Sequence, residues 1–225
     1  MTVKFINLKF FIFLFAAFHL HYLYPQKTIS IMLDPSGDAK HTGRIIGETF
    51  ERGVTLQFTE ELKTILEKRN KNIRVILTRF PGETLEPLQN ASFANRLDTD
   101  YFVSIMFYQE KKERAELSMY HFMSQPTDIW QKNLNPLNFY PYDKAHLIQI
   151  SKSKSFGEEI EKIFKSKNFR TIFNYNGFFG IPAKPLIGVK APSIAIEVGL
   201  MQKDDWKKFL GPFVFALESV LGNTK

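Results

Sequence analysis

Strand-length apolar runs alternate with helix-length amphipathic runs along this chain, and that alternation limits the folds open to it. "TISIML" (28–33), "NIRVILT" (72–78), "YFVSIMF" (101–107) and "SIAIEVGL" (193–200) are continuous apolar stretches of the kind buried on both sheet faces. "LSMYHFM" (117–123) and "PLIGV" (185–189) read as further strands. Between them, "ERGVTLQFTEELKTILEKR" (51–69) places Val54, Phe58, Leu62, Ile65 and Leu66 on one helical face. Shorter helices are expected over 86–97 and 145–165, the latter carrying Phe156, Ile160, Ile163 and Phe164. The segment 204–221 sets Trp206, Phe209, Phe213, Leu217 and Leu221 on one face after an Asp204-Asp205 start, with Pro212 as a kink or restart. Strands alternating with helices of this length predict an α/β three-layer sandwich, a mostly parallel or mixed central sheet flanked by helices.

The remaining segments differ in character. Gln125 to Asp143, with three prolines and no period, is expected to be a long loop. The start is cationic at Lys4 and Lys9 and then apolar up to Pro25. That is the pattern of an export signal, and no small-x-small cleavage site follows it. The expected organisation is therefore a signal peptide or uncleaved membrane anchor over 1–25, anchored through 10–24, and one domain over 26–225. His19 and His21 read as interfacial residues. The work of the chain is placed outside the cytoplasm, in a periplasmic or equivalent compartment, with membrane contact only through this segment.

Composition narrows the chemistry. The chain has no cysteine, which excludes disulfides, thiolate metal sites and Cys nucleophiles. The formal charge of +7 favours anionic surroundings such as a cell envelope. The lysines are spread evenly and not interleaved with aromatics in a stripe, so nucleic acid is not the expected partner.

In open α/β sheets, function gathers beyond the carboxyl ends of strands. Here those ends carry "DPSGDAKHTG" after the first strand, "MFY" after "YFVSI", and Glu197 closing "SIAIE", while Glu51 opens the first long helix. With "RVILTR", "FANRLDTDYFVSI" and "APSIAIEVGLMQKDDWKKF", these pieces resemble, in order, the zinc-dependent N-acetylmuramoyl-L-alanine amidases of bacterial cell walls. The resemblance runs from Ile29 to Leu221. It implies a zinc held by a His after the first strand, a Glu opening the first helix and a His after the third strand, with a catalytic Glu closing a later strand. Such a metal acidifies its bound water and polarises the scissile amide, while the carboxylate moves the proton.

Carried over residue by residue, the pattern breaks. The first ligand position falls on Gly37, which has no side chain. The second falls on Glu51. The third falls on Met106, a soft thioether unsuited to this chemistry. The catalytic carboxylate falls on Glu197. Asp34, which in the family orients the first His from behind, is kept. Two of three ligands are lost, so no zinc is expected here.

The resemblance then implies an exported amidase-like protein that binds peptidoglycan or an envelope protein without hydrolysis. The alternative is an active peptidoglycan amidase, cleaving between N-acetylmuramic acid and L-alanine, with rearranged ligands. His41 is the best substitute and Asp38 the next. A membrane-anchored domain used only for protein contacts is a third reading. His121 and His146 read as packed residues. Glu51 also suits a helix N-terminus on electrostatic grounds alone, and Glu197 suits a turn cap. If both carboxylates share a cleft without a cation, the expectation is either a raised pKa on one of them or a basic group between them, with Arg44, Arg52 and Lys40 as candidates.

Overall fold

The structure is a computed structural model that describes residues 28–86, 88–123 and 142–222. The expected signal or anchor over 1–25 and most of the expected loop over 125–143 lie outside the described residues. A six-stranded sheet runs through the domain in the order β4-β1-β5-β8-β6-β7. Its strands are β1 (Ile29–Pro35), β4 (Ile73–Leu77), β5 (Tyr101–Gln109), β6 (Glu116–Phe122), β7 (Asn174–Ile181) and β8 (Ser193–Leu200). The first four in spatial order are parallel, β6 is antiparallel to β8, and β7 is parallel to β6. A two-stranded hairpin, β2 (Ile45–Ile46) and β3 (Thr49–Phe50), stands apart from this sheet.

The helices are α1 (Glu51–Arg69), α2 (Gln89–Arg96), α3 (Ile150–Phe164) and α4 (Lys207–Leu221). They divide between the sheet's faces because neighbouring strand residues point oppositely. Ile31, Leu33, Val103, Ile105, Ile194 and Ile196 meet Phe58 of α1, Ile160 of α3 and Phe213 of α4. Met32, Phe102 and Ala195 face the other way, onto Ala91 and Ala94 of α2 and onto Leu186 and Val189. The result is the three-layer α/β sandwich the sequence predicts. Phe58 is the hub of the thicker layer, edge-on to Phe107 at 5.2 Å, Trp206 at 6.2 Å and Phe213 at 5.0 Å. Each such pair adds about 0.5–1.5 kcal/mol beyond its burial.

Three departures from the sequence reading have physical causes. "PLIGV" is not a strand: Lys184–Leu186 forms a 3-10 turn. Pro185 has no N–H for a ladder, Gly188 takes φ +82, and Leu186 is instead fully buried in the thinner layer. The helix expected over 145–165 divides into a 3-10 turn, Tyr142–Leu147, and α3, interrupted where Gln149 leaves helical geometry. β7 was not anticipated, because its glycines and asparagines mask the period. Its pairing with β6 shifts register between Leu117 and Ser118. Helix α4 runs through Pro212, which is buried, after a short 3-10 turn at Lys203–Trp206. Among the described residues no helix is long and apolar enough to cross a membrane.

Candidate functional site

Strand β1 stops opposite Ile105 while its parallel neighbours β5 and β8 run on together to Gln109 and Leu200, and register decides which side chains share a face there. Asp34 pairs with Ser104, and Met106 pairs with Glu197. Alternation then sets all four on the α2 side of the sheet. The position expected to carry the third ligand is thus directly across a strand pair from the expected catalytic carboxylate.

Glu51 reaches the same rim from the first turn of α1, where it is 2% exposed. Its Oε1 accepts the backbone N–H of Phe107 at 3.0 Å, and its Oε2 accepts that of Arg44 at 3.1 Å. In return the Glu51 N–H donates to the Arg44 carbonyl at 2.7 Å, which satisfies one open donor of the helix start. The Arg44 guanidinium then bridges the two acids. Its Nε lies 3.4 Å from Glu51 Oε2, and its Nη1 lies 2.7 Å from Glu197 Oε1. The remaining oxygen, Glu197 Oε2, accepts the Tyr120 hydroxyl at 2.8 Å. Tyr108 lies beneath the guanidinium, 5.5 Å from its carbon to the ring centre. Burial and then the Glu197 contact push the Tyr120 pKa up, and burial and then Glu110 do the same for Tyr108. Both phenols stay protonated, so Tyr120 remains a donor.

The turn after β1 is packed tightly onto the start of α1. Gly37 takes φ +80, and a Cβ there would stand 2.9 Å from Arg52 Cβ and 3.1 Å from Arg52 Cα. Gly43, at φ +74, lies so close to Glu51 that a Cβ would stand 2.7 Å from Oε2. Two glycines therefore let the backbone press against the start of α1. Arg52 holds the turn through the carbonyl of Ala39 at 2.7 Å, and buried Arg79 through those of Pro35 and Arg52 at 3.1 and 2.8 Å.

His41 and Asp38 pair with each other and not with Glu51. His41 Nδ1 is 3.1 Å from Asp38 Oδ2, and its side chain is 66% exposed. Burial alone would raise the Asp38 pKa. Donation from the His41 N–H and ring, and from the Leu85 and Lys40 N–H groups, outweighs that and brings it down to about 2. Asp34 is fully engaged within the fold. It accepts from Thr78 at 2.8 Å, Asn90 at 2.6 Å and Ser104 at 3.0 Å, joining three elements, and its complete burial holds its pKa above the ordinary value.

The other two histidines among the described residues are packed. His121 Nδ1 is 3.1 Å from the Phe122 carbonyl, and burial lowers its pKa. His146 Nδ1 accepts the Gly188 N–H at 3.0 Å and stands edge-on to Phe122. Beside the Arg44 cluster, a cavity of about 340 Å³ is lined by Asp34, Gly37, His41, Leu88, Ser104 and Lys184, among others.

Zinc fits this arrangement poorly. Each oxygen of Glu51 and Glu197 already accepts an N–H or O–H, and the cation between them is a guanidinium. Among the described residues no group of three or more His, Cys, Asp and Glu is placed to hold a metal. The structure brings Glu51, Glu197 and Met106 together, sets Gly37 and His41 on the neighbouring cavity, and selects Arg44 from the three cations named. Sequence reasoning missed Tyr108, Tyr120 and the β2–β3 hairpin. A tyrosine two residues after Met106 was the signal on offer.

The class of protein is a three-layer α/β domain whose two clustered acids come from the start of α1 and from β8 in its parallel run. A family model described as N-acetylmuramoyl-L-alanine amidase, Amidase_3, matches residues 31–211, and the chain belongs to that family. It is 31% identical over 77 residues to the N-acetylmuramoyl-L-alanine amidase CwlM of Bacillus licheniformis, a match covering 34% of this chain and 30% of that protein. The fold is similar to Ami1 of Mycobacterium smegmatis, with TM-score 0.64, 15% identity, and coverage of 88% of this chain and 99% of that one. It is also similar to the catalytic domain of CwlV from Paenibacillus polymyxa, with TM-score 0.63, 17% identity, and coverage of 87% and 99%. CwlD of Clostridioides difficile, solved in complex with the GerS lipoprotein, gives TM-score 0.61 at 17% identity, covering 87% and 99%. At these identities the structural likeness is one of fold.

Proposed function

We propose that this chain is an exported, envelope-associated amidase-family protein that binds peptidoglycan without hydrolysing it and works without zinc. The observation that carries this reading is the pair Gly37 and Met106, which stand at two of the family's three ligand positions and offer no hard ligand to a metal. In this reading Glu51 and Glu197 are inherited from a metal site and now serve to hold the rim together. Residues 1–25 act as the export signal or anchor, and 26–225 as the wall-binding domain. The cavity beside Asp34 and Lys184 receives a wall fragment, since it opens at the same strand ends where the family acts. The net positive charge favours retention at an anionic envelope.

A second reading, docking on an envelope protein, draws support from the similar fold that was solved with a lipoprotein partner. The deciding experiment incubates the purified protein with intact peptidoglycan and measures both co-sedimentation and release of stem peptides. Binding without release is the expected result. Release that depends on added zinc would establish the alternative of a working amidase with rearranged ligands, and absence of both would favour the protein partner.

A further inference from the structure

We infer that Arg44 is the resident cation of this site, a guanidinium that neutralises Glu51 and Glu197 and actively excludes a divalent metal. The inference rests on the non-hydrolytic reading but goes further, because a site that has merely lost ligands would stay open to metal.

Three independent features carry it. The first is electrostatic. Glu51 is 3% exposed in its side chain and Glu197 22%, and the guanidinium is the cation within ion-pair distance of both. Two acids gathered this closely need a cation, and Arg supplies a permanent one in a fork that serves two acceptors at once. The second is occupancy. The guanidinium, the Arg44 and Phe107 N–H groups and the Tyr120 hydroxyl each hold one of the four carboxylate oxygens, so a metal would have to compete with a donor already in place at every one of them. The third is volume. Gly43 presses its backbone against Glu51, and the Gly37 turn leaves no room for a Cβ beside Arg52. The hairpin that follows Arg44 ties it in place, with the Gly47 N–H donating to Gln109 Oε1 at 2.9 Å. The half-exposed stem of Arg44 argues for an ordinary surface ion pair, but such a pair does not reach a carboxylate as deeply buried as Glu51.

Isothermal titration with zinc alone tests this on the full chain. Wild type and Met106→His are expected to bind no stoichiometric zinc. The double variant Arg44→Met with Met106→His frees both acids and adds an imidazole, and should bind zinc about tenfold tighter or better than Met106→His alone. Equal zinc affinity of the single and double variants, in either direction, overturns the inference, as does tight zinc binding by wild type. If the double variant does not fold, melting temperatures of Arg44→Met, Glu197→Gln and their combination decide the matter. Strongly non-additive losses support the bridge, and additive losses overturn it. Stem-peptide release is measured alongside. Cleavage by a zinc-free wild type sinks the non-hydrolytic reading and leaves this one standing. Zinc binding without cleavage does the reverse.

Discussion

Arg44 Nη1 stands 2.7 Å from Glu197 Oε1, joining the foot of the β2–β3 hairpin to the carboxyl half of β8. The same guanidinium faces Glu51, whose side chain is almost wholly buried, so removing it strands a negative charge. Arg44→Met is expected to cost about 1–3 kcal/mol, less than for a fully buried pair because Arg44 itself is partly solvated. Arg44→Lys keeps the charge but not the two-pronged geometry, and should cost roughly half as much. Urea denaturation of the two variants reads this directly, and an unchanged midpoint for Arg44→Met would rule out a structural role for the bridge.

Restoring a side chain at position 37 is expected to be costly. Gly37 holds φ +80, where an L-residue loses about 1–2 kcal/mol, and a new Cβ would crowd Arg52 at 2.9 Å. Gly37→Ala should therefore lower stability by at least that amount, and Gly37→His should do so without gaining zinc. Equilibrium unfolding of both, with and without zinc, is the check. A Gly37→His protein as stable as wild type would mean that the turn relaxes easily.

Asp38 links stability to acid. Its folded pKa of about 2 lies below the ordinary 3.8, so the stabilisation is complete above the ordinary value and is lost as pH falls through about 2. The stability difference between wild type and Asp38→Asn should be constant near neutrality and shrink across that window. Denaturation series at stepped pH would show it, and a difference independent of pH would contradict the turn's hydrogen bonding.

Gly157 is an inverted case. Gly to Ala inside a helix ordinarily gains about 1 kcal/mol, yet a Cβ at Gly157 would meet the Phe178 ring at 2.1 Å. Gly157→Ala is expected to destabilise by about 1–3 kcal/mol through overpacking. Adding Phe178→Leu should recover part of the loss in a thermal melt, whereas equal losses with and without it would place the strain elsewhere.

These four cases divide by what a linear chain can reveal. "ERGVTLQFTEELKTILEKR" became α1 with both its ends where the pattern put them, and "SIAIEVGL" became β8 likewise. Both are long enough for a burial pattern to dominate local preference. "PLIGV" failed because five apolar residues suit a strand, a turn or a core plug equally. Pro185 and Gly188 decide for the turn only when Leu186 has a cavity to fill. β7 stayed hidden because an edge strand buries less and so shows less period.

The amino-acid sequence by itself determined the α/β alternation and the identities of Glu51, Glu197, Gly37 and Met106 at the positions the resemblance singles out, since these are matters of residue identity and short-range periodicity. Only the tertiary structure chose Arg44 over Arg52 and Lys40 as the cation between the acids, and turned Arg52 inward to hold the Gly37 turn. That choice depends on where the hairpin lays a side chain across strand ends distant in sequence. Burial makes it binding: a carboxylate as enclosed as Glu51 has to find its counter-charge within a few ångströms, whatever the spacing along the chain.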